Sequence, residues 1–236
     1  MILEMHDVHV NLGLSHVLQG VTLSIKPGET VGLFGRNGVG KTTIVKTIAG
    51  WHKPSRGKIL FQDQAIEALP PNEITRQGMG LVPEDRRIFP GLSVEGNLKL
   101  GLMQVQASER KATEQRIQMV FERFPRLSER RNQSGTTLSG GEQQMLAMAR
   151  VLIGNPKLLL IDEPTEGLAP MVVADIFRLM EELRAQGISI LLIEQNIHKA
   201  IHLCDRHYVV ERGKVVLEGN SQDLEERKEL IKRVSV

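Results

Sequence analysis

The sequence predicts an α/β protein: a parallel sheet with crossover helices, and a mostly helical segment inserted between its parts. Three observations carry that prediction. Strand-like apolar runs at 30–34, 157–161 and 188–193 are widely spaced, and a helical pattern over 172–186 joins the last two, as parallel strands require. A glycine-rich stretch at 35–40 links the first run directly to a helical pattern. From 83 to about 155, strand-like runs give way to helix formers.

The elements follow in order. Val8 to Val10, Val17 to Leu18 and Val21 to Ile25 are short β-branched stretches, the last alternating apolar and polar residues. Lys26-Pro27-Gly28-Glu29 is a turn, and 30–34 reads as a buried strand. Lys41 to Ala49 is a helix with Ile44, Val45 and Ile48 on one face. Gly57 to Phe61 and Met79 to Val82 are further strands. Ala107 to Phe124 and Glu142 to Ile153 are helices, the first with Ile117, Val120, Phe121 and Phe124 on one face. Strands return at 207–210 and 214–217, and Ser221 to Arg233 reads as a capped helix. The expected division is an α/β core from 1–82 and 156–236, with a helical subdomain from 83–155.

Composition narrows the classes. At 236 residues the chain has room for one large domain or two small ones, and 30 basic against 28 acidic residues leave no strong field for nucleic acid or anionic lipid. Aromatics make up only 3%, which argues against a base-stacking platform. Cys204 is the sole cysteine, so no internal disulfide or cysteine-based zinc knuckle is available, which suits a reducing compartment. The longest apolar runs fall far short of the ~20 residues a membrane helix needs. Met1 to Val10 shows no basic-then-apolar signal pattern.

Gly35-Arg36-Asn37-Gly38-Val39-Gly40-Lys41-Thr42 fits G-x-x-x-x-G-K-[ST], after a strand and before a helix, the context in which the motif binds phosphate. Its glycines let backbone N–H groups curl around phosphate oxygens, and the helix N-terminus adds its positive end. Lys41 reaches the β and γ phosphates, the Thr42 hydroxyl ligates Mg²⁺, and Thr43 belongs to the same nucleotide-binding loop. By chance the four fixed residues arise in a chain of this length about once in a hundred. The run 158–161 ends in Asp162-Glu163. Acids at strand ends are ordinary, but behind a phosphate loop Asp162 is placed to hold Mg²⁺ and Glu163 to polarise the attacking water.

Thr137-Leu138-Ser139-Gly140-Gly141-Glu142 precedes a helix, and Ser139 with Glu142 forms an S-x-x-E capping box. A capping box alone does not require two glycines. Gly140 and Gly141 bare the first-turn N–H groups, as a close phosphate would need. Gly35 to Thr42, Leu138 to Gln143 and Leu158 to Glu163, in that order, resemble the Walker A, signature and Walker B motifs of ABC ATPases. The resemblance spans essentially the whole chain. It implies a P-loop NTPase (RecA-like) core, an N-terminal antiparallel β subdomain and an inserted helical subdomain. It also implies a head-to-tail dimer in which each ATP, with Mg²⁺, lies between one phosphate loop and the partner's Ser139, Gly140, Gly141 and Glu142. The stretches 82–90, 124–127, 141–147, 166–170 and 193–196 are similar to the smaller ATPase of branched-chain amino acid importers. Residues 36–40 and 162–167 also resemble the urea importers. The partners so implied are a second ABC ATPase, two integral-membrane permeases and, indirectly, a solute-binding protein, at the cytoplasmic face of the inner membrane.

Against most of that family four positions differ. Leu12 stands where an aromatic usually stacks on adenine, so base contact is weaker or comes from elsewhere, such as His16. Glu84 replaces a glutamine that approaches Mg²⁺ or its water, Ala169 an aspartate, and Gln195 the switch histidine, keeping a hydrogen-bond donor without a titratable ring. The last three recur in the importer subgroup. His198 and His202 are spaced to share a helix face, but as surface or capping residues rather than zinc ligands. The basic stretches at 86–87 and 123–131 are solvated faces or contacts for partner loops. A soluble ABC ATPase acting on DNA or ribosomes is the competing class; the lack of a cysteine pair or basic face argues against it. The catalytic motifs also leave an exporter ATPase open.

Overall fold

The computed structural model describes residues 1–104 and 113–234. Among them the chain forms two sheets. A four-stranded antiparallel sheet has the order β2 (Ser15–Ile25), β1 (Leu3–Leu12), β4 (Arg56–Phe61), β5 (Gln64–Ala65). A six-stranded sheet has the order β10 (Lys214–Asn220), β9 (Arg206–Glu211), β3 (Thr30–Phe34), β8 (Ser189–Ile193), β7 (Leu158–Asp162), β6 (Met79–Val82). Its strands from β9 to β6 run parallel, and β10 returns antiparallel.

The central strands of the six-stranded sheet are buried on both faces, which explains their apolar runs. Every residue of β3, β7 and β8 is buried. Because side chains alternate across a strand, each strand feeds two cores. Leu158, Leu160, Leu191, Ile193, Val31 and Leu33 join Ile44, Val45 and Ile48 of α1 (Lys41–Ile48) and the antiparallel sheet. Leu159, Ile161, Ile190 and Leu192 face the other way. There they meet α3 (Val94–Gly101), α4 (Thr113–Arg123), α6 (Gly140–Leu152), α7 (Pro170–Ala185) and α8 (Ile197–Leu203). The short α2 (Pro71–Arg76) and α5 (Pro125–Glu129) both begin on proline, and α9 (Leu224–Val234) follows β10.

Most elements lie where the sequence puts them, with instructive differences. The opening stretches are one long hairpin, not three short strands. Register shifts between Met5 and His9 and a left-handed Asp7 (φ 48°) break the alternation that would have marked β1 as continuous. Helix α2 occupies a stretch that carries no clear period. The helix expected over 107–124 is described only from Thr113; its earlier part lies outside the described residues. Phe124 ends that helix and stays buried as the cap of α5.

Gly213 ties the two sheets to the glycine-rich loop. It lies at φ 75°, in the turn between β9 and β10, where its N–H donates to Val39 O (2.8 Å) and its carbonyl accepts from Gln19 N (2.8 Å). A Cβ there would collide with the carbonyl oxygen of Val17. At the other end of β9, Arg206 joins the sheets by donating to Glu29 (2.6 and 3.1 Å), Ser24 O (2.8 Å) and the Tyr208 hydroxyl (2.9 Å). Replacing Gly213 with Ala adds left-handed strain to a backbone clash, so Gly213→Ala is expected to lower unfolding free energy by about 2 kcal/mol or more in urea titration.

Candidate functional site: two anion-binding ends in one chain

Four parallel strands deliver their C-terminal ends to one edge of the sheet, where α/β proteins bind ligands. From β3 comes Gly35, from β8 Glu194 and Gln195, from β7 Asp162 and Glu163, and from β6, past Pro83, Glu84. The glycine-rich loop turns sharply into α1. Gly35 has φ 146° and would strike the Val210 carbonyl if it carried a Cβ, and Gly40 caps α1 at φ 112°. No acidic residue lies in the first turn of α1 and no side chain caps it, so its positive end is open to an anion.

A cavity of about 330 Å³ lies at this edge. Asn37, Gly38, Gly40, Lys41, Thr42, Thr43, Glu84, Glu163 and Gln195 line it, together with Val17 and Glu166. Lys41 is 5% exposed, and its ammonium donates to Gly35 O (2.8 Å) and Arg36 O (3.0 Å), bridging the loop it follows. Burial lowers its pKa, while the charges of Glu163 and Asp162 work the other way. Gln195 Nε2 donates to Glu163 Oε2 at 2.6 Å. Glu163 sits at φ 46°, an unusual conformation for a residue with a side chain, and its N–H is tied to Ile193 O (3.0 Å). Backbone strain and the Gln195 bond together aim the carboxylate.

Gln195 is itself held from below. Buried Glu194 accepts from the Thr165 hydroxyl (2.5 Å) and from the N–H groups of Gln195 (3.1 Å) and Asn196 (3.3 Å). Glu194, Glu166 and Val17 contribute to the site without having been expected there. Glu166, three residues past Glu163, brings its carboxylate within 4.8 Å of those of Glu84 and Glu163. Burial and the charges of Glu163 and Glu166 raise the pKa of Glu84. The expected metal ligands were Thr42, Glu84 and Asp162; Thr42 and Glu84 line the cavity, where Glu84 shares a close carboxylate group with Glu163 and Glu166. Asp162 lies apart, buried, and hydrogen-bonded to Thr42.

Asp162 Oδ1 is a buried oxygen with no hydrogen-bond partner. An unsatisfied carboxylate oxygen beside a threonine hydroxyl, with further carboxylates in the adjoining cavity, is a hard all-oxygen donor set that fits Mg²⁺. The pKa of Asp162 is raised to about 6, mainly by burial, with Glu163 and Glu84 adding repulsion and Thr42 opposing it.

Ser139 and Glu142 line a different cavity, about 490 Å³, with Gly141, Phe124, Met145, Val172 and Arg178. The capping box is formed: Ser139 Oγ accepts from Glu142 N (3.3 Å), and Glu142 Oε2 accepts from Ser139 N (2.9 Å). The two glycines also answer to packing. A Cβ on Gly141 would lie 2.8 Å from Val172 of α7, and one on Gly140 would lie 3.3 Å from Arg86. Neither residue reaches the phosphate cavity of its own chain.

Other candidate residues fall elsewhere. His16 is stacked on His9, its Nε2 3.1 Å from His9 Nδ1, and it is the next residue, Val17, that lines the phosphate cavity. Leu12 is 39% exposed. His198 and His202 lie exposed on α8, outside the close ligand group found among the described residues. The basic stretch at 123–131 is largely spent inside the chain: Arg123 pairs with Glu182, Arg126 with Glu129, Arg130 with Glu142 and Arg131 with Glu95.

Comparison with known proteins follows the same motifs. The sequence pattern of the ABC transporter family matches residues 18–166. The high-affinity branched-chain amino acid transport ATP-binding protein BraG of Pseudomonas aeruginosa is 41% identical over 215 residues, 91% of each chain. The lipopolysaccharide export system ATP-binding protein LptB of Escherichia coli K12 is 35% identical over 208 residues, 88% of this chain and 86% of that one. Among solved structures, the dimeric cassette MJ0796 in a post-hydrolysis state, bound to ADP and Pi, superposes with a TM-score of 0.81 at 25% identity. The match covers 94% of this chain and 100% of that one.

The raised pKa of Asp162 sets a stability prediction. A carboxyl whose folded pKa lies near 6 against a usual 3.8 binds protons more tightly when folded, so stability is lost as pH rises from about 4 through about 6 and stays lost above that. Asp162→Asn is expected to stabilise the nucleotide-free protein by about 1–3 kcal/mol at pH 8. The gain should shrink as pH falls through 6 and vanish near 4, checked by denaturant melts across pH.

Proposed function

Because this chain belongs to the ABC transporter family, we propose that it is the ATP-hydrolysing subunit of an importer for branched-chain or related hydrophobic amino acids. The observation that carries the reading is the separation of two anion-binding helix ends. The N-terminus of α1 and the N-terminus of α6 line different cavities of one chain, so a triphosphate is enclosed only when a second ATPase, a copy or a homologue, faces it head to tail. The dimeric form of the MJ0796 cassette supports this arrangement.

In this reading the loop from Gly35 to Thr43, with Asn37, Gly38, Val39 and Gly40, wraps the phosphates with its N–H groups, and the ammonium of Lys41 leaves its carbonyl partners for the β and γ oxygens. Ser139, Gly140, Gly141 and Glu142 of the facing subunit close the γ end. Thr42, Asp162 and Glu84 would hold Mg²⁺, which supplies neutralising charge to the phosphate oxygens. Glu163 accepts a proton from water as its oxygen attacks the γ phosphorus, and the bond to the bridging oxygen of ADP breaks. Gln195 orients Glu163 through its 2.6 Å bond.

Transport requires that closure reach a permease. A groove of about 420 Å³ lies where α1, α2 and β6 meet the helical part, with Trp51, Phe89 and Met103 exposed along it. Arg87 stacks over Trp51 at 4.3 Å, only three residues from Glu84. A cytoplasmic segment of a permease seated there would move with the loop that faces the phosphates. Among the described residues no helix is long and apolar enough to cross a membrane, and the reading assigns the chain to the cytoplasmic face of the inner membrane, with a solute-binding protein acting through the permeases.

The amino-acid substrate rests on the similarity to BraG. A second reading, an export system, is favoured by the similarity to LptB. Deletion of the chain is expected to abolish uptake of labelled leucine, isoleucine or valine into cells; unchanged uptake together with a lipopolysaccharide export defect would select the second reading. Glu163→Gln should cut hydrolysis at least about a hundredfold and trap an ATP-bound dimer, whereas Gln195→Ala should slow turnover by about tenfold. Comparable steady-state phosphate release by wild type and Glu163→Gln would sink the assignment.

A further inference from the structure

The hydroxyl of Ser139 is already committed inside its own chain. It donates to Glu142 Oε2 at 2.8 Å, while the same carboxylate oxygen accepts the Ser139 N–H. Any phosphate approaching the N-terminus of α6 therefore meets an ionised carboxylate that competes for the one hydroxyl proton and repels the incoming anion. Most capping boxes face water and carry no such conflict. This one must also receive an anion if the dimer reading above is right, and the inference rests on that reading.

The other oxygen of that carboxylate has its own partner. Arg130, immediately after α5, brings Nε to 2.7 Å from Glu142 Oε1. The N–H is not aimed at the oxygen, so the contact works through charge more than through an aligned hydrogen bond. The Arg130 guanidinium also donates to Gln133 Oε1 at 3.2 Å, which steadies it. Burial works to raise the Glu142 carboxyl, but the Ser139 N–H and hydroxyl and the Arg130 charge outweigh it and keep the group ionised. The neighbouring Arg131 is spent on Glu95, and Arg126 on Glu129, so Arg130 is the cation of this stretch that serves the α6 terminus.

We propose that Arg130 is a positioning residue for the signature end of α6: by neutralising Glu142 it lets Ser139 and the bared helix terminus accept the γ-phosphate of ATP bound to a facing subunit. The mechanism makes a specific demand. Arg130 matters only while residue 142 is charged. Glutamine at that position preserves the capping box but removes the anion, so it should make Arg130 dispensable.

The test is a double-mutant cycle in the full-length chain carrying Glu163→Gln, reading by light scattering the ATP concentration that half-saturates dimer formation. Arg130→Gln is expected to raise that concentration by about three- to tenfold, and Arg130→Lys, which keeps the charge, by less. In a Glu142→Gln background, Arg130→Gln should leave it unchanged. Thermal melts without nucleotide should be the same for all variants, since Arg130 and Glu142 are both partly exposed and the capping box survives. An equal shift in both backgrounds, or none with Glu142 intact, overturns the role of Arg130 while leaving the dimer standing. If the Glu163→Gln chain forms no dimer at any ATP concentration, the head-to-tail reading fails and this inference falls with it.

Discussion

The buried ammonium of Lys41 lies beside a glycine-rich loop in the field of the Asp162 and Glu163 carboxylates. Glu84, Glu163 and Glu166 crowd within 4.8 Å of one another and Asp162 lies buried beneath Thr42, a concentration of negative charge that would oppose any triphosphate. Lys41 is held among them by two loop carbonyls, in contact with the field of Asp162 and Glu163. Burial first, and then the charges of neighbouring carboxylates, raise the pKa values of Glu84 and Asp162. In the proposed reading a metal-bound nucleotide brings its own cation and draws Lys41 off its carbonyl partners.

The same constraint explains the placement of the second anion site. In the proposed reading an isolated chain cannot enclose a triphosphate; the two helix N-termini open into separate cavities. The connection between them runs through the loop after β6. Arg150 of α6, buried and without a carboxylate partner among its hydrogen bonds, donates to Arg87 O (2.7 Å) and Arg86 O (3.0 Å), two residues held at positive φ. Arg86 reaches Glu166 O (3.2 Å) and flanks Gly140. The cavity carboxylates, the α6 terminus and the groove at Trp51 are thus joined through the loop after β6, with Arg86 and Arg87 held at positive φ.

How legible was this in the chain itself? The phosphate loop, the acids after β7 and the capping box before α6 are local signals, each a few consecutive residues whose backbone geometry follows from glycines, strand ends and helix starts. The strands 30–34 and 79–82 were readable to the residue because apolar side chains on both faces mark a doubly covered strand. Val17, Glu166 and Glu194 were not readable as site residues. A valine in a strand and two acids in loops carry no local mark, and their roles come from which strand ends stand side by side. Gly141 was attributed to phosphate access alone, whereas the Val172 methyls 2.8 Å from its missing Cβ show that helix packing demands it as well.

The division has a physical basis. The sequence alone determined the architecture and the reaction class, because helix dipoles, glycine turns and strand-end carboxylates are chemistry written over short stretches of chain. Only the tertiary structure decided which acids share a cavity, that Arg130 answers Glu142 and that His16 turns to His9. Those facts depend on which side chains meet once strands and helices have packed, whether they lie seven or eighty positions apart, and no periodicity or motif encodes that distance.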